Sequence, residues 1–535
     1  MQACAHRGDS SRYRENTLPA IESAIASRAE FVEIDVRVTA DGAVIVLHDP
    51  TLERLWGLQA AASDVTVDRV RALGGPNERP PLLSEVLQLF DGASSTLLID
   101  MDDAALAEPA FAVVKRTVVG GTAPGASVAW CGHIDGMRVI RRLDPSARIW
   151  MPWDRTSPPT AADIGDLAPE RINTEFLTMT RELAAHIHAL GYGVTVWTVD
   201  DELTMRWAQE IGVDTVTTNQ LARLQKVVAA DASGSAAHPN TGGVDVGVGV
   251  DVDEALVVAR GLAQWAIEFS SSADPGQIDT KKDAADLVTE VDVAVERHVR
   301  EIVGTHFPDH DFVGEEMGGG AKPGVPCWYL DPVDGTANFA NRIPWNAFSL
   351  ALAVDDRPLV AVVADPWRAD LFEAVAGQGA RLNGSRLRLP EGADAARAGA
   401  AQGDAAEPVD PLAGRIVSTE LANQVPWPGM LELLERLGQR YCTMRVMGSG
   451  TMTLVGIAAG RGAGAVIGRF GAVDHVAAAL IVQEAGGVVL DSGGANTLFP
   501  ASGGIMAAVP EAADALYALW QESVDRSHST SLPSS

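Results

Sequence analysis

The sequence predicts a multidomain α/β protein whose N-terminal part is a TIM (β/α)8 barrel. Three observations support this. The 535 residues exceed one ordinary core, since single domains run to roughly 100–250 residues. Short β-branched runs alternate with helical patterns through the first 228 residues and supply the eight strands such a barrel needs. Beyond them lies a stretch rich in Ala, Gly, Ser and Asp, including Gly242-Gly243-Val244-Asp245-Val246-Gly247-Val248-Gly249-Val250, which cannot bury much surface. The expected division is a barrel over 1–228, a flexible linker over 229–252, a second domain over 253–526 and a disordered Ser-rich tail over 527–535.

The expected staves are Gln2–Ala5, Phe31–Val36, Leu97–Met101, Ser127–Cys131, Arg148–Met151, Arg171–Asn173, Val194–Val199 and Thr215–Thr218. A further strand, Ala43–Leu47, follows Asp41-Gly42, a dipeptide favoured in tight hairpins, and reads as an antiparallel addition. The helix Thr17–Ser27 places Leu18, Ile21 and Ile25 on one stripe. In the second half, Glu391–Pro411 lies between the strand-like Arg386–Leu389 and Arg415–Ser418 and reads as a surface-loop insertion.

Composition narrows the function classes. With 71 acidic against 41 basic residues the formal charge is −30, which repels nucleic acid and anionic membranes. No apolar run approaches the roughly 20 residues that span a bilayer. The first residues lack the basic start and apolar stretch of a secretory signal, so a soluble cytoplasmic protein is expected. Cys4, Cys131, Cys327 and Cys442 show no metal-binding or disulfide spacing and are expected as free thiols.

Barrel chemistry belongs at the C-terminal ends of the strands, where this half places His6, Glu33, Asp35, His48, Asp100, Trp197 and Thr198. Glu33 and Asp35 alternate with Val32, Ile34 and Val36, so both carboxylates face one side. Convergent carboxylates suit a hard cation, although on spacing alone they can equally pair with Arg7 or Arg37. His6 and His48 each end a strand and together offer the acid and base that phosphodiester hydrolysis uses. His6-Arg7-Gly8, Glu15-Asn16-Thr17, Glu33-Ile34-Asp35, His48-Asp49 and Val196-Trp197-Thr198-Val199 resemble the glycerophosphodiester phosphodiesterase family from Gln2 to about Gln220. The resemblance implies cleavage of glycerophosphodiesters with one Ca²⁺ or Mg²⁺. It assigns Glu33, Asp35 and Asp100 as ligands, His6 and His48 as the acid/base pair, Arg7 near the phosphate and Trp197 in the substrate site. Two positions depart from it: the family's Glu-x-Lys reads Asp100-Met101-Asp102, and its late Thr-Asp reads Thr218-Asn219.

The second half carries Asp286-Leu287-Val288-Thr289-Glu290-Val291-Asp292, Gly314-Glu315-Glu316, Asp331-Pro332-Val333-Asp334-Gly335-Thr336 and Gly471-Ala472-Val473-Asp474. A phosphomonoester needs its charge neutralised and a water activated, and adjacent Mg²⁺ ions held by several carboxylates do both. With Glu484-Ala485-Gly486-Gly487, these motifs resemble the inositol monophosphatase family from about Asp253 to Leu519. That resemblance implies an αβαβα layered sandwich and Mg²⁺-dependent monoester hydrolysis with two or three ions. Glu315, Asp331, Asp334, Asp474 and the Val333 carbonyl would bind metal, Thr336 with Asp292 would orient the attacking water, and the amides of Gly335 and Thr336 would cradle the phosphate. The family's Trp-Asp reads Val473-Asp474 and its inositol-contacting acid falls at about Ile467, beside Arg469.

The expected function is bifunctional: a diesterase on glycerophosphodiesters and a phosphatase on a small monoester such as inositol phosphate. The alternative is a phosphatase for a non-inositol monoester such as histidinol phosphate, with the barrel as a weakly active or binding module. Expected partners are small phosphoesters, without nucleic acid or an integral membrane segment, and a homodimer through the C-terminal domain is compatible with the resemblance.

Overall fold

The computed structural model describes the chain except residues 78, 166, 233–249, 274–277, 281–286, 390–409, 422–424 and 530–535. The chain folds as two compact units, 1–239 and 240–535. Of the stretch expected as a linker, residues 233–249 lie outside the described residues, while its start closes the helix Leu221–Ala232. The expected insertion lies almost wholly outside them, as do residues 530–535 of the expected tail.

In the first unit β1 (Gln2–Ala5), β2 (Phe31–Val38), β4 (Thr96–Met101), β5 (Ser127–Gly132), β6 (Arg148–Pro152), β7 (Arg171–Glu175), β8 (Gly193–Trp197) and β9 (Thr215–Thr218) pair in parallel. β1 pairs with both β2 and β9, so the ring closes: this is the eight-stranded TIM barrel the strand count predicts. β3 (Val44–Val46) pairs antiparallel to β2 outside the ring, as Asp41-Gly42 implies. The first helix runs Leu18–Ala26, but its buried face is Ala20, Ile21 and Ala24, with Leu18 and Ile25 only half-buried. The expected stripe is thus rotated. Gly8 sits against this helix at φ +81°, and a Cβ there would lie 2.7 Å from the Ala20 carbonyl carbon, so the close contact selects small residues.

The second unit has five layers. Helices Val252–Ser272 and Glu290–His306 cover one face of an eight-stranded sheet, which includes β12 (Asp311–Gly314), β14 (Cys327–Asp334), β15 (Ala347–Val354) and β16 (Arg357–Asp365). Helices Gly450–Ala458 and Ala472–Glu484 lie between that sheet and a five-stranded one, which Met430–Gln439 and Pro510–Ser529 cover from outside. A helix between two sheets has no wet face and must be apolar all round; all nine residues of Gly450–Ala458 are buried. Outer helices keep one apolar stripe, as Val291, Val295, Val299 and Ile302 show. No helix among the described residues is long and apolar enough to cross a membrane.

Trp150 is fully buried, edge-on to Phe31 at 4.7 Å and 5.4 Å from the Arg171 guanidinium. Trp150→Ala should destabilise the barrel by about 3–5 kcal/mol, read as a lowered midpoint in urea unfolding.

Candidate active sites

The expected barrel residues converge. His6, Arg7, Glu33, Asp35, His48, Asp100 and Trp197 all line one cavity of ≈ 220 Å³. Parallel register aligns Asp35 with Asp100 across β2 and β4, bringing residues 65 apart in sequence to one level. Glu33 Oε2 accepts from the Arg7 amide at 2.8 Å, in a turn where Arg7 itself takes φ +59°. Asp35 Oδ2 accepts from Asn16 Nδ2 at 2.7 Å and stands 3.2 Å from Arg7 Nε, so the pairing with Arg7 foreseen from spacing does form. Burial, then the neighbouring carboxylates, push Glu33 well above the usual carboxylate range and Asp100 up to about 6.

The two histidines differ in what stands behind them. His6 Nδ1 lies 2.8 Å from Asn219 Oδ1, while the Asn219 amide nitrogen donates to Asp200 Oδ2 at 2.8 Å. That donation orients the amide, makes its oxygen the acceptor and fixes the His6 proton on Nδ1, leaving Nε2 bare. Burial and Arg7 lower the His6 pKa. His48 Nδ1 instead meets a carboxylate, Asp49 Oδ1, at 2.9 Å.

Asp102 lines the same cavity and is engaged by a cation. It forms a two-pronged ion pair with Arg37, whose guanidinium also donates to the backbone oxygens of His48 and Asp49. The cation absent from position 102 is therefore present in the same cavity on β2. Sequence reasoning saw Arg37 only as a neutralising neighbour, and it missed Cys131 and Asn173, which also line the cavity.

In the second unit Asp331 and Asp334 end β14, where its register with β15 shifts. β12 runs parallel beside β14, so Glu315 follows directly and its amide bonds the Leu330 carbonyl at 3.1 Å. Asp474 lies in the first turn of the helix Ala472–Glu484, where the helix dipole favours negative charge. Burial first, then Glu315, Asp334 and Asp474, raise the Asp331 pKa well above normal; burial and Asp474 push Asp334 up to about 6. Asp334 Oδ2 accepts from Ser449 Oγ at 2.5 Å and the Thr451 amide at 2.6 Å. Thr336 Oγ1 lies 3.2 Å from Asp292 Oδ1 and 3.1 Å from the Val333 carbonyl, and Asp292 Oδ2 is held by the Thr289 amide at 2.8 Å. Gly335, at φ +92°, precedes the short helix Thr336–Ala340. Asp286 lies outside the described residues.

Glu296 was not foreseen. Fully buried, it accepts from the Glu316 and Met317 amides at 2.8 and 3.1 Å and holds the Gly-Glu-Glu turn; a Cβ on Gly314 would lie 2.1 Å from its carboxylate. Its spacing four residues after Asp292 on one helix face was the available signal. Among the described residues no three His, Cys, Asp or Glu side chains are placed so that they could hold a metal ion as they stand. The raised carboxylates nevertheless mark both sites as short of positive charge, and the oxygen donors fit Mg²⁺ or Ca²⁺.

These folds and carboxylate clusters define a chain of two phosphoester-hydrolase domains. Residues 251–525 match the inositol monophosphatase family and residues 6–223 the glycerophosphoryl diester phosphodiesterase family. The chain belongs to the first of these families through its second half, and its first half matches the model of the second. The Nus factor SuhB of Pasteurella multocida is 35% identical over 234 residues, spanning 43% of this chain and 81% of that protein. Inositol monophosphatase 2 of Solanum lycopersicum is 34% identical over 224 residues, spanning 40% and 78%. The solved Oleispira antarctica phosphodiesterase, in complex with the product sn-glycerol-3-phosphate, matches 43% of this chain and 97% of its own at 19% identity and TM-score 0.40.

The raised carboxylates give a pH signature. Asp100 and Asp334 titrate at about 6 when folded, against an ordinary 3.8. Between those values the folded state holds more protons, so their contribution to stability is full below the lower value and falls as pH rises to the upper. Stabilisation by Mg²⁺ over EDTA, read as a melting-temperature shift, should therefore be small at pH 4 and larger at pH 7. An equal shift at both would contradict cation binding at these carboxylates.

Proposed function

We propose that the chain is a bifunctional metal-dependent phosphoesterase: the barrel hydrolyses glycerophosphodiesters and the second domain a small monoester such as inositol phosphate. The observation that carries this reading is that each cluster of buried carboxylates lies beside its own proton-transfer group, His6 with His48 in the barrel and Thr336 with Asp292 in the sandwich.

In the barrel, Glu33, Asp35 and Asp100 would hold one Ca²⁺ or Mg²⁺, which supplies charge neutralisation at the phosphoryl oxygens. His6, neutral and with Nε2 bare, takes the proton of the attacking water. His48, backed by Asp49 and more exposed, gives a proton to the departing alkoxide. Arg7 and Arg37 bring positive charge to the phosphate. Trp197, 43% exposed at the strand end, offers an apolar wall for the alcohol part. The missing lysine at position 102 favours a mere binding role for the barrel; the Arg37 guanidinium, in the same cavity, supports the catalytic reading instead.

In the sandwich, Glu315, Asp331, Asp334, Asp474 and the Val333 carbonyl would hold two or three Mg²⁺, which supply charge neutralisation and Lewis acidity. The Thr336 hydroxyl has one proton and two acceptors in reach. With the Val333 carbonyl engaged elsewhere, Asp292 accepts that proton, and the Thr336 oxygen is free to receive one from water. The amides of Gly335 and Thr336 would bind the phosphate. Ile467 is buried and apolar where inositol-selective relatives place an acid, so a monoester other than inositol phosphate, histidinol phosphate included, is the second reading for this domain.

Thr336→Ala should lower kcat for monoester hydrolysis by about 10²–10⁴-fold with little change in KM, measured by phosphate release. The whole reading is tested by phosphorus NMR on glycerophosphoinositol with Mg²⁺ or Ca²⁺. Wild type should yield free phosphate, Asp334→Asn should accumulate a monoester, and His6→Ala should leave the diester intact. An untouched diester in wild type beside active monoester hydrolysis would sink the diesterase assignment for this substrate.

A further inference from the structure

We infer that Glu420 is a positioning residue of the sandwich site: it clamps the turn Met447–Ser449 and the first turn of the helix Gly450–Ala458, and through them holds Asp334 in place. The inference rests on the monoesterase reading of this domain and deepens it, because it adds a residue that acts on the site without touching substrate.

Chain geometry places the residue. Glu420 follows directly on the strand Ile416–Thr419, which runs parallel beside both Thr443–Val446 and Gly464–Ile467. It is only 9% exposed. One carboxylate oxygen accepts from the Gly448 amide at 2.7 Å, and the other from the Thr453 hydroxyl at 2.5 Å and the Met447 amide at 3.3 Å. All three donors are neutral, and burial pushes the Glu420 pKa above the usual carboxylate range. A buried carboxyl is a costly way to fill space. What it secures is the turn.

That turn is the one that serves Asp334. Ser449 Oγ and the Thr451 amide both donate to Asp334 Oδ2, at 2.5 and 2.6 Å. Ser449 is also the N-cap of the helix Gly450–Ala458, its hydroxyl oxygen accepting from the Met452 amide at 3.1 Å. Asp334 thus sits at the positive end of that helix, and Thr453, one turn further along, ties the same helix back to Glu420. Asn338 closes the clamp from the other side, its Nδ2 donating to the Met447 carbonyl at 2.7 Å.

Close packing transmits the position. A Cβ on Gly335 would lie 2.9 Å from the Gly448 carbonyl oxygen and 3.3 Å from the Ser449 Cβ, and a Cβ on Gly448 would lie 2.9 Å from Asn338 Nδ2. The turn that carries Asp334, Gly335 and Thr336 therefore rests directly on the turn that Glu420 holds. At such contact distances, a shift of one turn displaces the other.

The test measures kcat and KM for phosphate release, on whichever of inositol phosphate and histidinol phosphate the wild type hydrolyses, and Mg²⁺ binding by calorimetry on metal-free full-length protein. The Mg²⁺-binding component lost in Asp334→Asn belongs to the sandwich. Glu420→Gln, checked for folding by its melting curve, puts an NH2 group where an acceptor oxygen stood. It should lower kcat about 10–100-fold with KM nearly unchanged, and weaken that Mg²⁺ component about tenfold. Ser449→Ala should act in the same direction. Because both act on Asp334 through one turn, the double variant should fall within about threefold of the less active single variant, whereas independent effects would multiply. Thr453→Val removes one donor to Glu420 and takes its place in the cycle if Glu420→Gln does not fold.

Unchanged kcat and Mg²⁺ affinity in Glu420→Gln, or effects that multiply in the double variant, overturn the inference. Its failure is separable from that of the monoesterase reading: coupled losses of Mg²⁺ affinity without any monoester turnover remove only the hydrolysis, and full turnover in Glu420→Gln removes only the clamp. A wild type that lacks the Asp334-dependent Mg²⁺ component removes both.

Discussion

Holding like charges together out of water is the constraint on which both domains are built. Asp331 lies beside Glu315, Asp334 and Asp474, and Glu33 beside Asp35 and Asp100, in surroundings that strip most solvent from them. Such clusters repel themselves, and their burial costs more than any single surface ion pair returns. The fold offsets this with short, directed donors. The Arg7 amide serves Glu33, Asn16 serves Asp35, the Val333 amide serves Asp331, and Ser449 with the Thr451 amide serves Asp334. Strand ends and tight turns recur at these positions because backbone amides are free there to do it.

The barrel was legible because its strands are short, β-branched and bounded by turn residues, and because period-two alternation says which side Glu33 and Asp35 face. The acidic motifs of the second half were legible for a similar reason, since each sits at an element boundary. What stayed hidden depends on register between distant segments. Cys131 reaches the cavity only because β5 is in step with β4, and Asn173 only because the ring closes. The stripe of the first helix was misjudged because hydrophobicity points to Leu18 and Ile25, whereas the close approach of Gly8 admits only the alanine face. Glu296 escaped notice because a buried glutamate binding backbone amides looks, in sequence, like any solvated helix residue.

Departures from a family pattern read differently once the third dimension is present. Aspartate at position 102 looks like a lost charge, yet the guanidinium of Arg37 occupies the cavity and ties the His48 backbone to the end of β4. Asparagine at position 219 looks like a lost acid, yet Asp200 stands behind it and orients its amide toward His6. In both cases the charge has moved by one neighbour, and the two residues concerned now form a unit that single-site comparison cannot see.

Asp292 holds two posts at once. One oxygen caps the helix Glu290–His306 by accepting from Thr289, and the other meets the Thr336 hydroxyl. Helix ends are the first parts of a helix to fray, and loosening this one would turn the carboxylate away from Thr336 without any change in the residues around the phosphate. The proton transfer proposed for the sandwich would thereby depend on the integrity of one helical turn, because a single carboxylate serves both the cap and the hydroxyl.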